Sequence, residues 1–199
     1  MYHINIMSFI VVFMSLFGCI SSQEKRDFKV YDFGLPVQQA KSANVPVNVL
    51  VQEISAPVWL TTSALRYRLA YHDAARLQTY ANSRWAADPA SLLTLRLRQS
   101  LGYIAHGKPQ YQLRVALEEF SQVFDSPENS RGVIRVRANL VTIGESTPIA
   151  VRSFTVERKA QTPDAEGGVR ALTEASSQLA DEIGKWLAEI STETSKKNK

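Results

Sequence analysis

A strand pattern followed by a helix pattern, between Leu65 and Leu101, constrains the fold of this chain more than any other feature. The first part alternates strictly between two kinds of side chain, which is typical of a half-buried β-strand. Arg66 and Arg68 share one face, and the opposite face has Leu65, Tyr67, Leu69 and Tyr71. The sequence therefore predicts a strand over 65–71 with one side on an apolar core.

The second part of this stretch has the signals of an α-helix. Asp88 is a good residue to cap a helix, and Pro89 suits the first helical position, where its missing N–H would have no partner. Leucines then recur every four residues along one side of the helix, at Leu93, Leu97 and Leu101. The segment that ends in NSRWAADP connects the two elements. We expect Leu69 and Leu97 to be buried between the sheet and the helix.

The remaining chain supplies further strands and one long helix. Alternating segments predict strands near residues 28–33, 45–54, 111–124, 132–143 and 148–156. A break in phase at Glu118-Glu119 predicts a bulge. Apolar residues spaced three and four apart predict a last helix from Thr162 to about Ile190. The order β-β-β-α-β-β-β-α predicts an α+β domain with a single mixed β-sheet of about five to six strands and two main α-helices.

The N-terminal segment has the features of a targeting signal. Ile6–Phe17 is apolar apart from two serines, and it is shorter than the ~20 residues that a membrane-spanning helix needs. Leu16-Phe17-Gly18-Cys19 resembles the bacterial lipobox, in which the cysteine is acylated and becomes the mature N-terminus. We expect a signal peptide at 1–18, a lipidated tether at 19–27, the domain at 28–190 and a polar tail at 191–199. The alternative is an ordinary signal peptide that is removed together with Cys19.

Lipidation would make Cys19 a membrane anchor. Buried acyl chains such as palmitate contribute ~0.8 kcal/mol per CH₂ group, so several chains hold a protein on a membrane durably. Ile20 follows the cysteine, and in lipoproteins this resembles the pattern of outer-membrane proteins, because aspartate there marks inner-membrane retention. Cys19 is also the only cysteine, which excludes an internal disulfide.

Neither the charge nor the motifs of the chain indicate nucleic-acid binding or catalysis. The net charge is +4, from 23 Lys+Arg against 19 Asp+Glu, which is too mild for a nucleic-acid-binding protein. No Gly-rich phosphate loop or GxSxG nucleophile elbow occurs. His3, His72 and His106 lack metal-ligand spacing, although a spatial Ser-His-Asp triad leaves no sequence pattern. We therefore expect no enzyme activity, no metal and no cofactor.

Surface recognition is the function that these residues favour. Tryptophan and arginine are enriched at protein interfaces. The candidate partner interface consists of Trp59, Arg66, Arg84 and Trp85. The alternative is that Trp85 is a core residue and that the arginines are solvated charges on a strand. The outward-facing Arg135 and Arg137 are the next candidates.

Several short motifs resemble one family. The specific part is Tyr-x-Leu-x-Tyr at 67–71 followed by Arg84-Trp85 and Pro89. It is accompanied by Tyr31-x-Phe33-Gly34, Pro57-x-Trp59-Leu60, Ala171-Leu172 and Trp186-Leu187. In this order and after Cys19, these motifs are similar to those of the ABC-type transport auxiliary lipoprotein family, the paraquat-inducible protein C-like group. Phe33 stands where the family more often has leucine.

The resemblance implies a docking function and no catalysis. Such lipoproteins are encoded with ABC transporters whose periplasmic subunits contain MCE (mammalian cell entry) domains, which move lipids or other hydrophobic molecules between the inner and outer membranes. The implied partners are an MCE-domain subunit and the outer membrane, on its periplasmic face in a Gram-negative bacterium. Self-association into a homo-oligomer is left open. The competing hypothesis is a pilotin-like envelope assembly lipoprotein that escorts an outer-membrane protein.

Overall fold

The fold is built from one sheet and two long helices. The computed structural model describes residues 28–35, 48–101 and 109–197, with side chains described as far as residue 193. Within these ranges the strands are β1 (Lys29–Tyr31), β2 (Val49–Val51), β3 (Ala64–Leu69), β4 (Ala74–Trp85), β5 (Tyr111–Ser126), β6 (Asn129–Thr142) and β7 (Pro148–Lys159). The helices are α1 (Ala70–Asp73), α2 (Pro89–Leu101) and α3 (Ala165–Lys197), with a 3₁₀ turn at Val58–Leu60.

The strands of the described residues form one mixed sheet in the order β1-β4-β3-β5-β6-β7, and β2 also pairs with β5. Successive hairpins make β5, β6 and β7 antiparallel. β2 and β3 both run parallel to β5, beside different parts of its length. This arrangement confirms the predicted α+β class with a single mixed sheet. The two long helices match the two that the sequence predicts.

β4 is the strand that the sequence pattern does not reveal. The chain turns through α1 after Leu69, so Tyr71 leaves the strand, and residues 74–85 return antiparallel to β3. The β3–β4 register shifts between Ala64 and Arg66. Because a shift reverses the inward and outward positions, β4 has no continuous period-two pattern. A sequence window therefore gives the appearance of a loop where the structure has a long hairpin.

The helix α2 begins as predicted. Asp88 Oδ1 accepts a hydrogen bond of 3.0 Å from the Ser91 N–H, and Pro89 is the first helical residue. Leu93 and Leu97 are fully buried, but Leu69 is only partly buried at the end of β3. The prediction for Leu97 is therefore confirmed. That for Leu69 is wrong, because β3 ends there.

The helix α3 begins after Asp164, whose carboxylate caps it by accepting a hydrogen bond from the Gly167 N–H. It runs to Lys197, beyond the predicted end at Ile190. Its apolar stripe lies on the sheet and on α2, and includes the buried residues Leu172, Leu179, Ile183 and Leu187. The described side chains after Ile190 are polar, and those of Thr192 and Glu193 are exposed. No helix in the described residues is both long and apolar enough to cross a membrane.

The predicted bulge in β5 is present. The pairing of β5 with β6 shifts between Leu117 and Glu119. Before the shift Leu113, Val115 and Leu117 are buried, and after it Phe120 is buried in the same core. Glu118 and Glu119 therefore both take part in ion pairs rather than one of them facing the core.

Candidate docking surface

Arginine side chains from four strands project from one face of the sheet. α2 and α3 contact each other and lie on the opposite face. Gly132 shows which strand positions face the helices. A Cβ added at this residue would lie 2.8 Å from the backbone nitrogen of Leu172, so position 132 faces α3. Side chains alternate along a strand, so Arg135 and Arg137 point away from α3.

The other strands supply more arginines to this face. Leu65 is fully buried, so its neighbour Arg66 points to the opposite side. Trp85 is buried as well, and Arg84 before it points outward and lies between Val30 of β1 and Ala64 of β3. We name this surface the arginine face, and it contains Arg66, Arg68, Arg84, Arg114, Arg131, Arg135 and Arg137.

Only some of these arginines have a carboxylate partner. Arg68 pairs with Glu119 at 3.1 Å, and Arg137 pairs with Glu118 at 3.3 Å. Arg131 pairs with Asp125 and Glu157. Within the described residues no ion pair is formed by Arg66, Arg84, Arg114 or Arg135. Four arginines of this face therefore carry a positive charge that no carboxylate of the described residues pairs with.

The centre of the arginine face contains two unsatisfied polar groups. Tyr67 pairs with Gln122 in the parallel β3–β5 ladder, which puts Arg66 beside Ser121 on this face. Arg66 Nη2 donates to Thr62 Oγ1 at 3.1 Å. Its Nε and the Ser121 hydroxyl are buried, and neither has a partner in the described part of the chain. Burial lowers the pKa of the Arg66 guanidinium. Both atoms are inaccessible from the surface, so they are not themselves contact points for another molecule.

Trp85 is not an interface residue. It is 1% exposed, and its ring centroid lies 5.6 Å from those of both Phe33 and Phe120, with edge-to-face packing. Tyr31 of β1 pairs with it on one side, and the backbone N–H of Trp85 donates to the Ser63 carbonyl at 2.8 Å on the other. Its inclusion in the predicted interface is wrong, because the alternation of β4 directs Trp85 into the core and Arg84 out of it.

Trp59 is exposed, and it lies near one corner of the sheet. It is in the 3₁₀ turn shortly before Ser63, which bonds to one side of the end of β4. β1 pairs with the other side of that strand end. The guanidinium carbon of Arg84 lies 4.8 Å from the centroid of the Phe28 ring. We name the exposed apolar residues around this strand end the β1 corner, and they are Phe28, Val30, Val58 and Trp59. Only Trp59 of these was predicted, although Phe28 and Val30 already share a face in the strand pattern.

A shallow cleft also opens on the arginine face. Its volume is about 370 Å³, and it lies between the segment after β2 and strands β5 and β6. Its lining is mostly polar and consists of Gln52, Glu53, Ser55, Arg114, Val115, Ala116 and Asn139. Such a lining differs from the mainly apolar pockets that hold small hydrophobic ligands.

The comparison with known families agrees with this arrangement. The sequence profile of the family described as the ABC-type transport auxiliary lipoprotein component matches residues 31–184. The chain belongs to this family. The matched region extends from the last residue of β1 into α3, so it includes the arginine face and two of the four residues of the β1 corner. No curated protein matches the sequence.

The fold of this auxiliary lipoprotein is similar to that of solved structures. Protein XCC0632 from Xanthomonas campestris has a TM-score of 0.65 and 18% sequence identity, over 87% of this chain and 92% of that chain. A second crystal structure, of an uncharacterized protein, has a TM-score of 0.61 and 20% identity, over 81% and 99% of the two chains. At these identities the similarity shows the shared fold alone.

The other predicted groups of the auxiliary lipoprotein are distributed as follows. The signal peptide, Cys19, the tether, His3 and His106 lie outside the described residues. His72 is exposed in α1. No group of three His, Cys, Asp or Glu side chains in the described ranges is placed to hold a metal ion. The family is that of an auxiliary component and not a known enzyme family.

Proposed function

We propose that this auxiliary lipoprotein is anchored through acyl chains on Cys19 at the periplasmic face of the outer membrane and docks the MCE-domain subunit of an ABC transport system. That system moves lipids or other hydrophobic molecules between the inner and outer membranes. Membership of the auxiliary family supports association with an ABC transporter. The role of this chain is to bind and position its partner, while ATP hydrolysis belongs to another subunit.

The observation that supports docking most strongly is the uncompensated charge of the arginine face. Arg66, Arg114 and Arg135 come from three strands, project from one side of the sheet and have no carboxylate partner in the described residues. Arginine is enriched at interfaces because its planar group forms several charge-assisted hydrogen bonds at once. We expect the complementary surface of the MCE subunit to be acidic. Complementary charge increases both the rate and the specificity of association.

Co-purification with the MCE subunit tests this proposal. The triple variant Arg66→Ala, Arg114→Ala, Arg135→Ala should lower affinity at least ~30-fold, which corresponds to ~2 kcal/mol. Arg170→Ala is the matched control, since Arg170 is an exposed arginine on α3, away from the arginine face. Each variant should keep a melting temperature close to that of the wild type. Unchanged binding by the stable triple variant would exclude the arginine face from docking.

The anchor has its own test. Cys19→Ala should leave the protein uncleaved or released from the membrane, whereas the wild type should fractionate with the outer membrane and incorporate labelled palmitate. Unchanged mobility and fractionation of Cys19→Ala would contradict the proposed anchor and leave the docking proposal to stand on the binding measurement alone.

A further inference from the structure

Four large apolar side chains are exposed in the two segments that flank one end of β4. Phe28, Val30 and Trp59 are each about half exposed, at 48%, 51% and 50%, and Val58 is 81% exposed. Single exposed apolar residues are ordinary, but a group at one end of a sheet marks a contact site. The two segments flank the same end of β4, because Tyr31 and Ser63 both lie beside Trp85.

One cation accompanies this apolar group. Arg84 is exposed and forms no ion pair within the described residues. The Arg84 guanidinium lies over the Phe28 ring. Aromatic rings next to lysine or arginine are typical of protein surfaces at the membrane–water interface, where the ring enters the headgroup layer and the cation meets phosphate.

The position of the β1 corner along the chain favours the membrane as its contact surface. Phe28 is the first described residue, and only eight residues separate it from Cys19. An extended chain advances ~3.3–3.6 Å per residue, so Phe28 lies within about 30 Å of Cys19. An anchor at Cys19 therefore keeps the β1 corner near the bilayer. At the resulting high local concentration even a weak contact is occupied.

We propose that the β1 corner rests on the anionic phospholipid headgroup surface next to the lipid anchor and orients the domain on the membrane. This inference rests on the anchor in the proposed function. Phe28, Val30, Val58 and Trp59 enter the headgroup layer, and Arg84 contacts lipid phosphate. With the β1 corner on the membrane, the domain has a defined orientation in which the arginine face is available to bind its partner.

The native tryptophans provide a direct test. Trp59 is exposed, whereas Trp85 and Trp186 are 1% and 3% exposed, and the chain has three tryptophans in total. The full lipidated protein is incorporated into vesicles of equal parts phosphatidylcholine and phosphatidylglycerol, brominated near the headgroup end of the acyl chains. Trp59 emission should be lost relative to vesicles without bromine. Trp59→Phe should abolish that loss.

A matched reporter tests the orientation. Val151 is 57% exposed on β7, the opposite edge of the sheet, five strand spacings or about 24 Å from β1. Val151→Trp in the Trp59→Phe background should therefore escape quenching in the same brominated vesicles. Equal quenching of the two reporters would overturn the proposal, because it would mean that the domain contacts lipid without a preferred side.

Flotation of the vesicles distinguishes a failure of this inference from a failure of the anchor. Protein that floats with the vesicles but shows unquenched Trp59 overturns the corner contact and leaves the anchor intact. Protein that does not float overturns the anchor, and the corner contact with it. Arg84→Gln should reduce the Trp59 quenching in anionic vesicles while flotation is unchanged, and undiminished quenching would overturn the contribution of lipid phosphate.

Discussion

Gly132 of β6 lies directly beneath Leu172 of α3, at a distance that admits no side chain. A Cβ at Gly132 would be 2.8 Å from the Leu172 nitrogen and 2.9 Å from the Ala171 carbonyl carbon. Both of these neighbours are backbone atoms, so neither moves without moving the helix. The close approach of α3 to the sheet, and therefore the separation of the core from the arginine face, depends on this glycine.

Gly132→Val should destabilise the domain by ~1–3 kcal/mol, because inserting side-chain atoms into a packed site forces the backbone to shift. Chemical denaturation measures the free energy of unfolding. Arg135→Ala on the opposite face of the same strand serves as the control and should stay within ~0.5 kcal/mol of the wild type. Equal stability of Gly132→Val and the wild type would show that α3 does not pack as closely as described.

Leu97 and Leu95 form a matched pair on α2, with the same side chain in different surroundings. Leu97 is fully buried, and Leu95 is 55% exposed. Leu97→Ala should lower the free energy of unfolding by ~2–5 kcal/mol, since it leaves a cavity in the core. Leu95→Ala should change it by ~0.5 kcal/mol or less. Similar losses for the two variants would mean that α2 presents a different side to the sheet.

Trp85 and Trp59 should respond oppositely to truncation. Trp85→Ala should cost ~3–5 kcal/mol of stability, because its ring packs edge-to-face on Phe33 and Phe120 in the core. Trp59→Ala should melt near the wild-type temperature, because the side chain is half exposed. Thermal unfolding of both variants checks the assignment. A large loss with Trp59→Ala would place that side chain in the fold and not at a contact site.

Tyr80 should make stability depend on pH in the alkaline range. Its hydroxyl donates to Gln122 Oε1 at 2.8 Å, and burial raises the pKa of the phenol well above its ordinary value of about 10. The unfolded chain releases this proton above pH ~10 and the folded chain retains it, so the contribution is complete below that pH and is lost as pH rises.

The variant Tyr80→Phe should therefore lose ~0.5–1.5 kcal/mol near neutral pH, the net value of a typical hydrogen bond. Its stability should then fall less steeply than that of the wild type above pH ~10. Unfolding measured across that range, with Tyr71→Phe as an exposed control, tests the prediction. Parallel curves for wild type and Tyr80→Phe would show that Tyr80 ionises equally easily in both states.

Patterns within a few neighbouring residues predicted much of this fold. The Asp88-Pro89 start of α2, its buried Leu97, the bulge after Leu117 and the α+β class all follow from local spacing, because helix caps and side-chain alternation act over one or two turns. The apolar stripe of α3 is local as well. Its end at Lys197 was missed, because the polar residues after Ile190 have no burial pattern to indicate a helix.

Only the tertiary structure decided which candidate residues share a face of the sheet. Arg66 and Arg135 are distant in sequence, and they share a face because β3 joins β5 in parallel and β5 then pairs with β6. β4 can be recognised as a strand only from its hydrogen bonds to β3, since the register shift interrupts the alternation of its side chains. The same pairing sends Trp85 inward and leaves Trp59 outside. A sequence specifies the period of each strand, but strand register depends on backbone hydrogen bonds between distant segments, and it is register that assigns each side chain to the core or to the surface.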